Sequence, residues 1–213
     1  FSCGTGSAPI RPVRGHGAVR VVSIVEGDGE VGALPVLLRR LAAWRSPGLA
    51  LDVQTPIRVR RDRFLNRQEE FHRHLQLAAA KCGELGWILI LLDADDDCPA
   101  TVGAEILLRA RSCVPHRQLS VVLANREYEA WFIAAAESLN GQRGFRFRPE
   151  ELVEAEGPRD AKGWIRSRMS GGGYGETTDQ PALTAGMDLQ MAFNGSRSFR
   201  KLCCEWDRHV ARP

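Results

Sequence analysis

Two apolar spacings alternate along this chain. Val19–Val25, Trp87–Leu92 and Leu119–Ala124 are short, nearly unbroken apolar runs, the pattern of strands buried on both faces. Leu51–Arg60 alternates well enough for a further strand, and Pro56 places it near a sheet edge. Between the strands the apolar positions fall at helical spacing. Val31–Trp44 predicts a helix with Pro35 near its first turn, and Asn66 resembles an N-cap, with Glu69 three residues on, for a helix reaching about Cys82. Thr101–Ser112 and Glu127–Leu139 predict two more. Strands alternating with helices of this length predict an α/β fold, a mostly parallel sheet flanked by helices.

After Asn140 the texture changes. Gly, Arg and acidic residues dominate as far as Asp160, followed by a short helical stretch at Ala161–Met169, a glycine cluster at Gly171–Gly173, and helical patterns at Gln180–Phe193 and Ser196–Arg208. The expected organisation is a lead-in over 1–18, an α/β core over 19–140, and a helical extension over 141–213 packed back on that core.

The acidic residues cluster where apolar runs stop. The first run leads into Glu26-Gly27-Asp28-Gly29-Glu30, and the second into Asp93-Ala94-Asp95-Asp96-Asp97. In a parallel sheet with these strands side by side, the carboxylates meet at the C-terminal edge, where open α/β sheets place their sites. Capping a helix needs one such residue, whereas several crowded together repel one another unless a cation joins them. Hard oxygen donors suit Mg²⁺ or Mn²⁺, one ion or two, with Glu26, Glu30, Asp93, Asp95 and Asp97 as candidate ligands. Glu129, on an otherwise apolar helix, either points at the same site or pairs with an arginine.

Composition adds a substrate class. The chain has 213 residues and a net charge of +3, and its only lysines are Lys81, Lys162 and Lys201, so nearly all positive charge is arginine. Guanidinium groups bind phosphate in a planar, bidentate way. Arg60, Arg61 and Arg63, then Arg166 and Arg168, form basic clusters that suit a nucleic-acid backbone, DNA or RNA, drawn toward an acidic centre; a solvated charged face is the plainer alternative. Lys162 is a candidate for stabilising charge on phosphate, or else an exposed helix residue. Gly171–Gly175, with Tyr174 inside, is a loop over the site or a linker.

Other classes are disfavoured. No apolar stretch approaches the roughly 20 residues of a membrane helix, and a cytoplasmic protein is expected. The six cysteines have no CxxC spacing and read as buried free thiols. His72 and His74 fall on different faces of one helix, which makes a shared metal a poor fit. A haloacid-dehalogenase-type phosphatase has its Asp-x-Asp after the first strand, not a later one. In a dinucleotide binder, the acids among Gly27, Gly29 and Gly32 would repel a pyrophosphate.

The order strand, Glu26-Gly27, helix, and a later strand ending in Asp93-x-Asp95 resembles the Toprim domain of topoisomerases, bacterial primases and small nucleases, over roughly Arg20 to Leu139. Glu30, four residues after Glu26, is more similar to the overcoming-lysogenization-defect nucleases, whose extra acids support two metals. Ala124–Phe132 partly resembles the Asn-Pro-x-Phe-Glu-x-Trp segment of RloB-like proteins, with the proline and phenylalanine replaced. Ser196–Leu202 resembles the Pro-Ser-Phe stretch of an uncharacterised Toprim-like bacterial family. The resemblance implies a Rossmann-like Toprim core and a Mg²⁺- or Mn²⁺-dependent nuclease in which Glu26 and Glu30 take part in catalysis; Lys162, beyond the resembling stretch, joins them as the cationic candidate. It also implies a setting such as phage defence alongside a separate ATPase, since the chain has no Gly-x-x-x-x-Gly-Lys-Ser/Thr loop. A regulatory adaptor that keeps the core without the chemistry is the alternative.

Overall fold

The computed structural model describes residues 18–171 and 173–210. Nearly all of the expected lead-in lies outside that range. In the described residues β1 (Val19–Val25) runs down the middle of a sheet, and α1 (Asp28–Arg45) follows it across one face. The edge is made by β2 (Leu51–Val53) and β3 (Ile57–Arg58), which both pair parallel with β1. The expected single strand is therefore broken. Val21 faces Val53 and Ile24 faces Ile57, so the edge carries one residue more than β1 over this stretch, and Pro56, which has no N–H to donate, lies in the gap.

Beyond this edge come α2 (Arg61–Asn66) and α3 (Gln68–Cys82). Asn66 ends α2 instead of capping α3; Arg67, in extended backbone, is the hinge between them. Phe64 and Phe71 meet across the hinge with ring centroids 4.8 Å apart, which fixes the short helix against the longer one. The chain then crosses back to β4 (Trp87–Asp93), α4 (Pro99–Cys113) and β5 (Gln118–Ala124). All pairings are parallel, in the order β2-β1-β4-β5.

The unbroken apolar runs have the burial expected of them. Val21, Val25, Trp87, Leu89 and Leu91 point to one face, and Val22, Ile24, Ile88, Ile90 and Leu92 to the other. Phe71, Leu75 and Ala78 of α3 and Ile106 of α4 cover the second face. The first face is covered by α1, through Leu34, Leu37, Leu38 and Leu41, and by the C-terminal part of the chain.

That part comprises α5 (Ala130–Ala134), α6 (Ala136–Leu139), two 3₁₀ turns, α7 (Ala161–Arg166), α8 (Glu176–Gly186), α9 (Leu189–Gly195) and α10 (Arg197–His209). Two expected helices are interrupted. The one expected from Glu127 starts only at Ala130, because the Tyr128 N–H is taken by Asp93 Oδ1 at 2.9 Å, and it breaks again at Ala135. The one expected over Gln180–Phe193 stops at Gly186 and restarts after Asp188, whose side chain caps the Met191 N–H. Ser196 likewise caps α10 by accepting from the Phe199 N–H. α1 begins three residues earlier than expected, which leaves Pro35 in its interior. Cys82 and Cys203 are buried thiols as expected, but Cys98 and Cys204 are exposed.

Candidate functional site

The strand order reverses direction between β1 and β4, and the crevice at the carboxyl ends of those neighbours is where ligands bind in open α/β sheets. The two acidic segments leave the sheet at this point. Glu26 follows the last residue of β1, and Asp93 is the last residue of β4. Their backbones are set by local chemistry: Gly27 begins α1, and its N–H donates to the Glu30 carboxylate, which folds back over the helix start as half of a capping box.

The carboxylates sort into an inner and an outer group. Glu26, Glu30, Asp93 and Glu129 form the inner one and interact electrostatically with each other and with Lys162 from α7. Glu129 is fully buried; the Tyr174 hydroxyl donates to its Oε1 at 2.8 Å, while its Oε2 has no partner. Glu26 Oε2 is likewise buried without a partner. Gln180 of α8 reaches Glu30 through Nε2 at 3.5 Å, and its own buried Oε1 is unpartnered. The Lys162 ammonium is 3.6 Å from Glu176, and its backbone N–H donates to Glu127.

Burial and crowding shift these groups strongly. Desolvation first, then the Asp95 charge, lifts Glu26 to about 7, against the pull of Arg61 and Lys162. Desolvation also lifts Glu129 to about 7, while Lys162 and Tyr174 oppose the rise. Asp93 and Glu30 are raised for the same leading reason, and Asp93 is raised further by Glu30 and Glu129. Burial alone would depress Lys162. The surrounding carboxylates, Glu129 and Asp93 foremost, outweigh it and hold the ammonium charged.

The outer carboxylates are matched by arginines. Arg61, only 14% exposed, is 2.5 Å from Asp97 and 3.7 Å from Asp95, and its Nε has no partner. Asp28 pairs with Arg58 at 2.8 Å. Asp96 is 2.6 Å from Arg126 and 3.3 Å from Arg159. Asp95 and Arg126 both adopt positive φ, and Asp95 N–H donates to the Arg126 carbonyl, which locks the loop.

The structure thus brings Glu26, Glu30, Asp93, Glu129 and Lys162 together, leaves Asp95 at the rim, and places Asp97 outside with Arg61. Arg61 belongs to the acidic site more than to an open phosphate-binding surface. Arg168 stacks on Trp164, 3.8 Å from the ring centroid, and faces Glu151 at 3.4 Å, so it too is engaged internally. Arg60, Arg63 and Arg166 are exposed. Sequence patterning passed over Glu127, Glu176 and Gln180, which come from a loop and a helix with no strand-end signature to mark them.

The donor set is all oxygen, and two buried carboxylate oxygens lack partners, so the chemistry fits a hard divalent cation. Among the described residues, however, no three His, Cys, Asp or Glu side chains converge closely enough to hold an ion. The inner carboxylates are arranged around Lys162. Residues 25–206 match the family model of a domain of unknown function, DUF4276. The chain belongs to this family. The DUF4276 match runs from the end of β1 into α10, so it takes in every residue of the inner site, those from the C-terminal helices included. No curated protein and no solved structure matches the chain.

Proposed function

We propose that the chain is a Mg²⁺- or Mn²⁺-dependent phosphodiesterase acting on nucleic acid, with a Toprim-type arrangement of acids. One observation carries the reading: Glu26, Glu30 and Asp93 are gathered at the crevice between β1 and β4 with their proton affinities raised, and Glu26 and the adjoining Glu129 each keep one buried carboxylate oxygen unpartnered. As placed, no three of these acids close on one ion, so Glu26, Glu30 and Asp93 would have to draw together to hold the cation. A bound divalent ion supplies Lewis acidity toward a phosphoryl oxygen and makes water easier to deprotonate.

The chain's own groups supply the rest. Without an ion, burial and the Asp95 charge hold the Glu26 carboxyl at about 7, and a bound cation would pull it back toward the ionised form, so a divalent ion would displace a proton from Glu26 as it binds. The Lys162 ammonium is a fixed cation for charge building on phosphate. Tyr174 holds Glu129 in place through its hydroxyl.

The test is cleavage of DNA and RNA by purified protein with Mg²⁺ or Mn²⁺. Asp93→Asn should lower the rate by at least about 10²-fold with an unchanged circular dichroism spectrum. Cleavage that survives the substitution overturns the assignment. A specific observation favours a second reading: the cations Arg61 and Lys162 already neutralise much of the cluster, as they would in an adaptor that keeps the core without catalysis and works with a separate ATPase. Nucleic acid bound but never cut under any divalent ion would favour it.

A further inference from the structure

Beside the acidic site, β3, α2 and α3 enclose an open groove of about 280 Å³. Three arginines reach it for simple geometric reasons. Arg58 and Arg60 are two apart on extended backbone and share a side, while Arg60 and Arg63 are three apart at the start of α2 and share a helix face. Arg61, between them, turns the other way to Asp97. Arg73 enters from α3.

Each charge can be followed to its partner. Arg73 pairs with Glu70 at 2.7 Å, and His74 Nδ1 is 2.7 Å from the Glu70 carbonyl. Arg58 pairs with Asp28, which belongs to the acidic loop after β1. Arg60 and Arg63 are exposed, and while their carbonyls accept from the Phe64 and Arg67 N–H groups, their side chains have no ion-pair or hydrogen-bond partner among the described residues. The floor, made by Val59 and Phe64, is buried and packed through Phe64 on Phe71, so the groove is held rigidly.

We infer that this groove is a second anion site, which receives a backbone phosphate of a nucleic-acid strand that continues to the acidic crevice. The strand assignment rests on the reading above; the anion site does not. Two unpartnered guanidinium groups on one rigid wall match a phosphate's oxygens. Arg58 touches both the groove and the acidic loop, which makes the two places continuous. A strand running between them would be anchored at the groove and strained across the acids, and a free phosphate would gain only the first contact.

Binding of a labelled single-stranded oligonucleotide, followed by anisotropy over a salt series, tests this. Arg60→Ala/Arg63→Ala should weaken binding roughly tenfold or more at low salt and reduce the salt slope by about 1.4, the change expected for two lost phosphate contacts on a single strand. Lysine at both positions should restore most of the affinity, which a mere folding defect would not allow. Unchanged binding in the double alanine variant, or no binding by the wild type at low salt, overturns the site whatever the cleavage assay gives. Loss of binding in a protein that never cuts leaves the site standing and removes the hydrolase reading. Inorganic phosphate alone that binds as tightly as the oligonucleotide overturns the strand assignment.

Discussion

Glu26 and Glu129 are carboxyl groups that folding makes harder to ionise, and this has a consequence for stability. Each is near its ordinary value of 4.5 in the unfolded chain and rises to about 7 in the folded one, chiefly through desolvation. Between those values the folded state binds more protons than the unfolded state, so stability falls as pH rises through this window. The melting temperature without divalent ions should therefore drop between pH 5 and pH 7, and Glu129→Gln should flatten the curve over that interval. A melting temperature that climbs across the same interval would contradict the burial described for these groups. Asp93 was legible from sequence because it ends an apolar run. Gln180 was not, because a glutamine inside a helix gives no hint of which neighbour it faces.

The contact between α1 and α8 shows how tightly the elements around the site are fitted. A methyl group on Gly29 would lie 1.8 Å from Gln180 Oε1 and 2.9 Å from the Glu176 backbone carbonyl. The side chain can turn away by a rotation, but the carbonyl cannot move without the helix. Alanine gains about 1 kcal/mol of helix propensity over glycine, whereas overpacking costs about 1–3 kcal/mol, and here backbone is in the way. Gly29→Ala should therefore lower stability by about 1–2 kcal/mol net in denaturant titration; a stabilised variant would show that α8 is not seated on α1. Gly29 belongs to this packing. At this scale the sequence was legible where one spacing persisted, as in β1, β4, β5 and α10. It misled where a single hydrogen bond intervened: Asp93 claiming the Tyr128 N–H, or Asp188 capping a new helix.

Across the whole molecule, the division into core and extension describes chain order better than it describes packing. Leu183, Met187, Phe199, Leu202 and Trp206 share one apolar cluster with Val21, Val25, Leu37 and Leu89, so the C-terminal helices complete a face of the sheet. A chain ending before α8 should lose its cooperative thermal transition and bind a hydrophobic dye; a sharp melt near that of the full chain would show that residues 18–175 fold alone. The apolar runs placed both acidic segments at the carboxyl edge of a parallel sheet on the condition that their strands are neighbours, and β1 and β4 do pair. Lys162 of α7 was named as a candidate cation, but the contribution of α8 was not, since it depends on how a distant helix folds back.

Lys162 gives the crevice a counterion covalently fixed to the polypeptide. No chelator removes it and no dialysis dilutes it. Exhaustive treatment with EDTA should leave the native state intact, so that its tolerance of buried acids is owed to an amine on α7 and not to the buffer.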